Sequence, residues 1–349
     1  MPAARGKLTA KQPNETLNEE PSCPRPRRGH FAFPAAERGA AVGNPYPLVT
    51  KGLYLDNQRP VDTWLTNNPR HPSAPAVRAS IAAVPQARWS GGGDVTQWIK
   101  DYVSAASAAK QLPVITQYAL PERDLGGYAA GGAAGFAEYQ QDVEILARAI
   151  GSAPAALILE PDGLIHLPGL APLGQVERYS LLCYAIARFA RLCPQTATYL
   201  DVGEAPDQDP ATIALALVRA GVASARGFAI NTSNFSNLET CNAYATVIRQ
   251  LLQARYGVLG VRYVVDTSRN GAGRPSPAYI AAHPSDWWCN PVGARLGQRP
   301  RIIIDATTGC DALLWIKAPG VSDGPTGVVP GIDNGIFDPR LAVALINGR

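Results

Sequence analysis

Three aspartates, Asp124, Asp162 and Asp201, each follow a short apolar run, and they stand roughly 38 residues apart. Pro113–Thr116 leads through Tyr118 to Asp124. Leu157–Leu159 leads to Glu160-Pro161-Asp162, and Thr196–Leu200 leads to Asp201. Later runs end at Asn231, at Asp266 and, after the last, at Lys317 and Asp323. A lone aspartate in such a place is usually a helix cap or a turn residue. Several that converge on one mouth, with aromatic rings beside them, can divide labour. A carboxyl that is buried or near a like charge keeps its proton and serves as an acid, while another stays ionised.

Convergence requires elements that deliver every run to the same end. The runs Gly52–Leu55, Pro113–Thr116, Leu157–Leu159, Thr196–Leu200, Gly227–Ile230, Arg262–Val265, Arg301–Ile304 and Leu313–Ile316 read as parallel strands buried on both faces. Amphipathic segments lie between several of them. Phe136, Tyr139, Val143, Leu146 and Ile150 recur at helical spacing, as do Leu181, Leu182, Ile186, Phe189 and Leu192. Residues 238–256 also read as helix, and Asp94 reads as the N-cap of a helix through Trp98 and Tyr102. The alternation predicts an α/β domain of βαβ crossovers, whose strand ends form the active face in a barrel.

Composition excludes several classes. The net charge of +4 over 349 residues is small, and the one basic run, Arg25 to Arg28, sits beside Pro24 and Pro26 in a leader without periodicity. That run reads as a solvated tail, and no nucleic-acid partner is expected. No window approaches 18 unbroken apolar residues, so no membrane span is expected. The four histidines, His30, His71, His166 and His283, and the six scattered cysteines make no metal-ligand spacing, so no metal is expected. No GxGxxG or GxxxxGK[ST] string is present, and no cofactor is expected. His166, near Asp162 in sequence, either belongs to a loop or approaches the mouth. Residues 1–42 read as a disordered leader and 43–349 as a single catalytic domain.

The strand ends lie in strings that resemble glycoside hydrolase family 6, the cellobiohydrolases and endoglucanases. The strings are YALPERD at 118–124, LILEPDG at 157–163, TYLD at 198–201, INTSNF at 230–235, VVDTSRNG at 264–271, DWWCNPVG at 286–293 and LLWIKAPGVSDG at 313–324. Singly they are weakly specific; in order and at comparable spacing they are strong. The resemblance implies a distorted (β/α) barrel of about seven parallel strands and inverting hydrolysis of β-1,4-glucosidic bonds. That reaction needs a protonated acid and a base that activates water on the opposite sugar face. By resemblance Asp162 is the acid, Asp124 the carboxylate that supports it, and Asp323 the residue usually proposed as base, where a water relay is the alternative. Tyr118 packs against the distorted sugar, Trp288 is a sugar platform, Lys317 binds a sugar hydroxyl, and Asp201 shapes the site. Asn231 is expected to face the cleft, whereas Trp89, Trp287 and Trp315 read as core. The implied partner is a β-glucan polysaccharide or oligosaccharide, met outside the cell by a monomer.

The pattern also departs from the family's. Asp201-Val202-Gly203-Glu204 lacks the histidine and the following tryptophan. Val321 stands for a glutamate, Ala129 or Ala130 for a serine that helps hold the catalytic water, and Leu125 for a cysteine. Cys289 lacks its usual partner, which leaves Cys310 or a free thiol. Short unpinned loops imply an open cleft and internal cleavage; exo-action and a catalytically impaired polysaccharide-binding relative are the rivals.

Overall fold

The structure, a computed structural model, describes residues 42–204 and 208–348. Apart from Val42, the expected leader lies outside the described residues. The strands are β1 (Arg88–Ser90), β2 (Val114–Gln117), β3 (Ala155–Leu159), β4 (Thr196–Asp201), β5 (Gly227–Ile230), β6 (Arg262–Asp266), β7 (Arg301–Ile302) and β8 (Cys310–Leu314). The helices are α1 (Pro60–Asn67), α2 (Ala74–Val77), α3 (Thr96–Ala109), α4 (Phe136–Ile150), α5 (Pro172–Leu192), α6 (Pro210–Arg219), α7 (Leu238–Tyr256), α8 (Pro277–Ala282) and α9 (Pro339–Asn347).

One sheet runs in the order β1-β2-β3-β4-β5-β6-β8-β7. Every neighbouring pair is parallel except β7 with β8, so seven strands are parallel, as expected. Helices α3 to α7 fill the crossovers from β1 to β6, the arrangement that parallel pairing demands. The curled sheet nearly closes. Across the seam, Ala87 N donates to Trp315 O (2.9 Å) and the Trp89 indole N–H donates to Ile316 O (2.8 Å).

Strand side chains alternate between two cores. Ile115, Leu157, Leu159, Leu200, Phe228, Ile230, Val265 and Leu313 face the helices. Val114, Ala156, Ile158, Ala197, Tyr199, Ala229, Val264, Ala312 and Leu314 fill the tube. Small alanines leave room there for Tyr199, whose hydroxyl meets Tyr46 Oη (2.6 Å) and donates to Asp311 Oδ2 (2.7 Å). Asp311 is fully buried and also accepts from Arg226 Nε and Arg262 Nε, both at 2.8 Å.

The helical readings agree with α4, α5 and α7. Asp94 lies one residue ahead of the N-cap of α3, yet its Oδ1 accepts Thr96 N (3.1 Å) in the first turn. The strand readings need three corrections. Gly52–Leu55 makes only an isolated bridge, Leu53 to Leu112. The first strand is instead β1, a three-residue segment led by Arg88 that carries no apolar run. Arg301–Ile304 yields only two paired residues, antiparallel and at the sheet edge, where Ile303 and Ile304 remain exposed.

Candidate active site

Sharp turns follow the parallel strands. Of the ten non-glycine residues with positive φ among those described, seven follow β2, β3 or β5: Glu122, Asp124, Leu125, Glu160, Asp162, Asn231 and Ser233. Side chains in this left-handed region cost free energy, and such strain concentrates where function dictates a side chain's direction. Here it turns the chain at the strand ends and faces carboxylates into a cleft of about 810 Å³. The cleft collects Tyr118, Asp124, Asp162, Trp288, Lys317 and Asp323, six of the eight residues singled out from sequence.

Asp162 sits at φ +65 just past β3. Its backbone N–H donates to Asp201 Oδ2 (2.9 Å), and its Oδ2 accepts the Tyr118 hydroxyl (3.2 Å). Burial raises its proton affinity, and the carboxylates of Asp124 and Asp323 add to the rise; His166 and the Tyr118 hydrogen bond oppose it. This is the setting of a carboxyl that stays protonated until a basic leaving group needs the proton. Tyr118 is caged in turn. Trp89 meets it edge-to-face at 5.5 Å, and the Arg123 guanidinium lies 4.8 Å from its ring centroid. Burial raises the pKa of its phenol, with Asp162 and Asp124 adding to the effect, so both carboxylates are near it.

Asp124 Oδ2 accepts Ala129 N (2.7 Å) across the turn after β2. Arg123 does not neutralise it: that guanidinium donates to Ala129 O and Tyr118 O, both at 2.7 Å. Asp323 is differently placed. Lys317 Nζ lies 2.8 Å from its Oδ1, and Arg269 Nη1 donates to its Oδ2. Burial alone would raise its pKa, but Arg269 and Lys317 outweigh burial and hold it below the usual carboxylate range.

Two expected residues do not reach the cleft. Asn231 is 0% exposed; its side chain donates to Asp266 O (2.8 Å) and accepts Ser236 N (2.9 Å), so it braces the loops after β5 and β6. Asp201, 1% exposed, lies beneath Asp162 and accepts the N–H groups of Asp162 and Gly203 (3.0 Å). Burial, with Asp162 adding to it, pushes its pKa up to about 7. Neither can touch a sugar, because neither has open surface. Asp266, another strand-end aspartate, likewise binds loop N–H groups of Ser233, Ser268, Ile316 and Lys317.

The walls hold residues that sequence reading placed elsewhere. Trp89 and Trp287 line the cleft, although both read as core; Trp315, 2% exposed, is core as expected. Trp288 lies 5.7 Å from Tyr128, ring to ring, and Arg274 lies 4.4 Å from the Trp287 ring centroid. His166 also lines the cleft, which settles the choice left open for it. Arg269, the clamp on Asp323, lies within the VVDTSRNG string but was not singled out. Cys289 and Cys310 are both free thiols.

Comparison with known proteins gives concordant matches. The family model described as Glycosyl hydrolases family 6 matches residues 49–334. Endoglucanase 1 of Streptomyces halstedii is 38% identical over 321 residues, covering 91% of this chain and 95% of the relative. Endoglucanase 1 of Streptomyces sp. (strain KSM-9) is 36% identical over 82% of this chain and 76% of its own. A solved endoglucanase from Mycobacterium tuberculosis, in complex with methyl-cellobiosyl-4-deoxy-4-thio-β-D-cellobioside, superposes with a TM-score of 0.76 at 35% identity. That match covers 86% of this chain and 98% of the solved one.

Proposed function

Since the chain belongs to glycosyl hydrolases family 6, we propose that it cuts β-1,4-glucosidic bonds within cellulose or a related β-glucan, with inversion, outside the cell and as a monomer built on a single catalytic domain. The observation that carries this reading is Asp162, a carboxyl whose proton affinity is raised by burial and by Asp124 and Asp323, at an open cleft with tryptophans in its walls. Indole faces suit the apolar faces of glucosyl rings. Tyr118 stands against the ring whose bond is cut, and Asp162 protonates the departing glycosidic oxygen. As that bond lengthens the sugar becomes oxocarbenium-like, and water attacks from the far side.

Asp323 is the fixed anion of this scheme. Its two cationic partners make it a weak base at rest. It takes the water's proton late, directly or through an intervening water, when attack has made that proton acidic. Lys317 is shared between this clamp and a sugar hydroxyl. Internal cleavage is supported by the two similar endoglucanases. It is supported too by the free thiol of Cys289, which leaves the loop around Asp323 unpinned.

The test is release of reducing ends from barley β-glucan and carboxymethylcellulose, with the anomer followed on cellohexaose. The wild-type protein should yield the α-anomer first, and Asp162→Asn should lower kcat by about 10²–10⁴-fold, the usual contribution of a general acid. Full activity in that variant, or β-anomer at first appearance, would sink the assignment. A second reading rests on Ala129 and Val321, which put apolar carbon into the cleft: a protein that binds glucan and turns it over poorly. Retarded migration in β-glucan gels without reducing-end release would favour it.

A further inference from the structure

We propose that Glu160 and Arg178 form a buried tether that positions the loop carrying Tyr118 and Asp124 over Asp162, and that this tether sets how firmly Asp162 keeps its proton. The inference rests on Asp162 being the acid. The loop from 118 to 132 has little regular structure and contains Glu122, Asp124 and Leu125 at positive φ. A segment of that kind does not hold its own shape. Glu160, 1% exposed, reaches under it, and its Oε2 accepts Ala119 N (2.9 Å) and Leu120 N (3.1 Å). Arg178 of α5, 4% exposed, donates through Nη2 to Pro121 O (2.9 Å) and Glu122 O (3.3 Å). Four consecutive residues, 119 to 122, are therefore held by one carboxylate and one guanidinium, neither of which lines the cleft.

The chain accepts costs to keep this arrangement. Glu160 itself takes φ +53, which sends its carboxylate below the loop two residues before Asp162 turns into the cleft. Burial pushes its pKa up to about 7, against the pull of the Ala119 and Leu120 N–H groups, Tyr139 of α4 and Arg178. A residue that only filled space would be apolar here. The link to the chemistry is Asp124, whose charge strengthens the proton affinity of Asp162. With a slack loop Asp124 recedes, and Asp162 ionises at lower pH. The other groups that act on Asp162 are His166, Tyr118, Asp323 and, beneath it, Asp201. Of these only Tyr118 rides on the same loop.

The experiment compares Glu160→Ala, Glu160→Gln and Arg178→Met in the full chain by two readouts. Amide exchange reports the tether without reference to any substrate. Ala119 and Leu120 should exchange about 10-fold faster in Glu160→Ala and near the wild-type rate in Glu160→Gln, whose side-chain carbonyl still accepts both N–H groups. Turnover on β-glucan reports the consequence. In Glu160→Ala, kcat should fall about 10–100-fold, as small misplacements at an active site do. Its KM should stay within about 3-fold, and the basic limb of the kcat–pH profile should move to lower pH. Glu160→Gln should restore both kcat and the limb. Unchanged exchange, or an unmoved limb in a folded Glu160→Ala protein, overturns the proposal. If Glu160→Ala does not fold, Arg178→Met decides: its limb must move in the same direction, and a wild-type limb overturns the tether. If the wild-type protein cuts no glucan, the proposed function falls, and the tether is judged by exchange together with NMR titration of the Asp162 carboxyl, whose pKa must drop in Glu160→Ala.

Discussion

At the scale of single residues, the proton on Asp162 is balanced between opposing neighbours. The Tyr118 hydroxyl donates to its Oδ2 and so favours the ionised form, while burial and Asp124 favour the protonated one. Tyr118→Phe removes only the first influence. The pKa of Asp162 should then rise further, and the basic limb of kcat/KM against pH should move to higher pH. A hydrogen bond of net value ~1 kcal/mol corresponds to somewhat under one pH unit. A limb that stays put or moves to lower pH would contradict the balance described. The neighbour beneath matters as well: Asp201 titrates at about 7 and interacts with Asp162, so the observed limb belongs to the pair.

At the scale of elements, the loops after the strands divide between support and contact, and they were unequally legible. The interior strands β2 to β6 were readable because burial on both faces demands unbroken apolar runs. Helices α4, α5 and α7 were readable because each buries one stripe. β1 was not, since its Arg88 pairs with Asp56 and a three-residue strand shows no pattern. The first three residues of β8 were missed because Asp311, in their middle, is buried by pairing rather than by being apolar. For the site, the resemblance of the strings placed Tyr118, Asp124, Asp162, Trp288, Lys317 and Asp323 together, yet it could not separate Asn231, which faces inward and braces loops. Direction at a strand end depends on turns that no spacing rule reports. Trp288, on the loop after α8, is a contact residue by geometry. Trp288→Ala should raise KM on cello-oligosaccharides about 5-fold, from the ~1 kcal/mol that an aromatic stacking partner adds beyond its area, and should leave kcat within a few-fold. A KM within error of wild type would exclude it as a platform.

At the scale of the whole molecule, the tube is fixed at depth by charge as well as by packing. Asp311 gathers Tyr199 from β4, Arg226 ahead of β5 and Arg262 of β6 around one buried carboxylate. Replacing one partner of a buried ionic group leaves the others uncompensated, at a cost of about 3–5 kcal/mol. Asp311→Asn should therefore lower the midpoint of urea unfolding markedly while leaving kcat per folded molecule near wild type, since the network does not line the cleft. Loss of kcat without loss of stability would place Asp311 in the chemistry instead.

Trp89 belongs both to the seam and to the site. Its N–H fastens β1 to Ile316, and its ring meets the side of Tyr118. Elsewhere the sheet is stitched by ladders; here, among the described residues, two hydrogen bonds hold the lips together. On warming, the lips should part before the ladders do, and the phenol over the acid would lose its prop at that moment. Catalysis should accordingly fade several degrees below the temperature at which circular dichroism reports melting, and recover on cooling. Coincident loss of both signals would mean that the join is as firm as the rest of the wall.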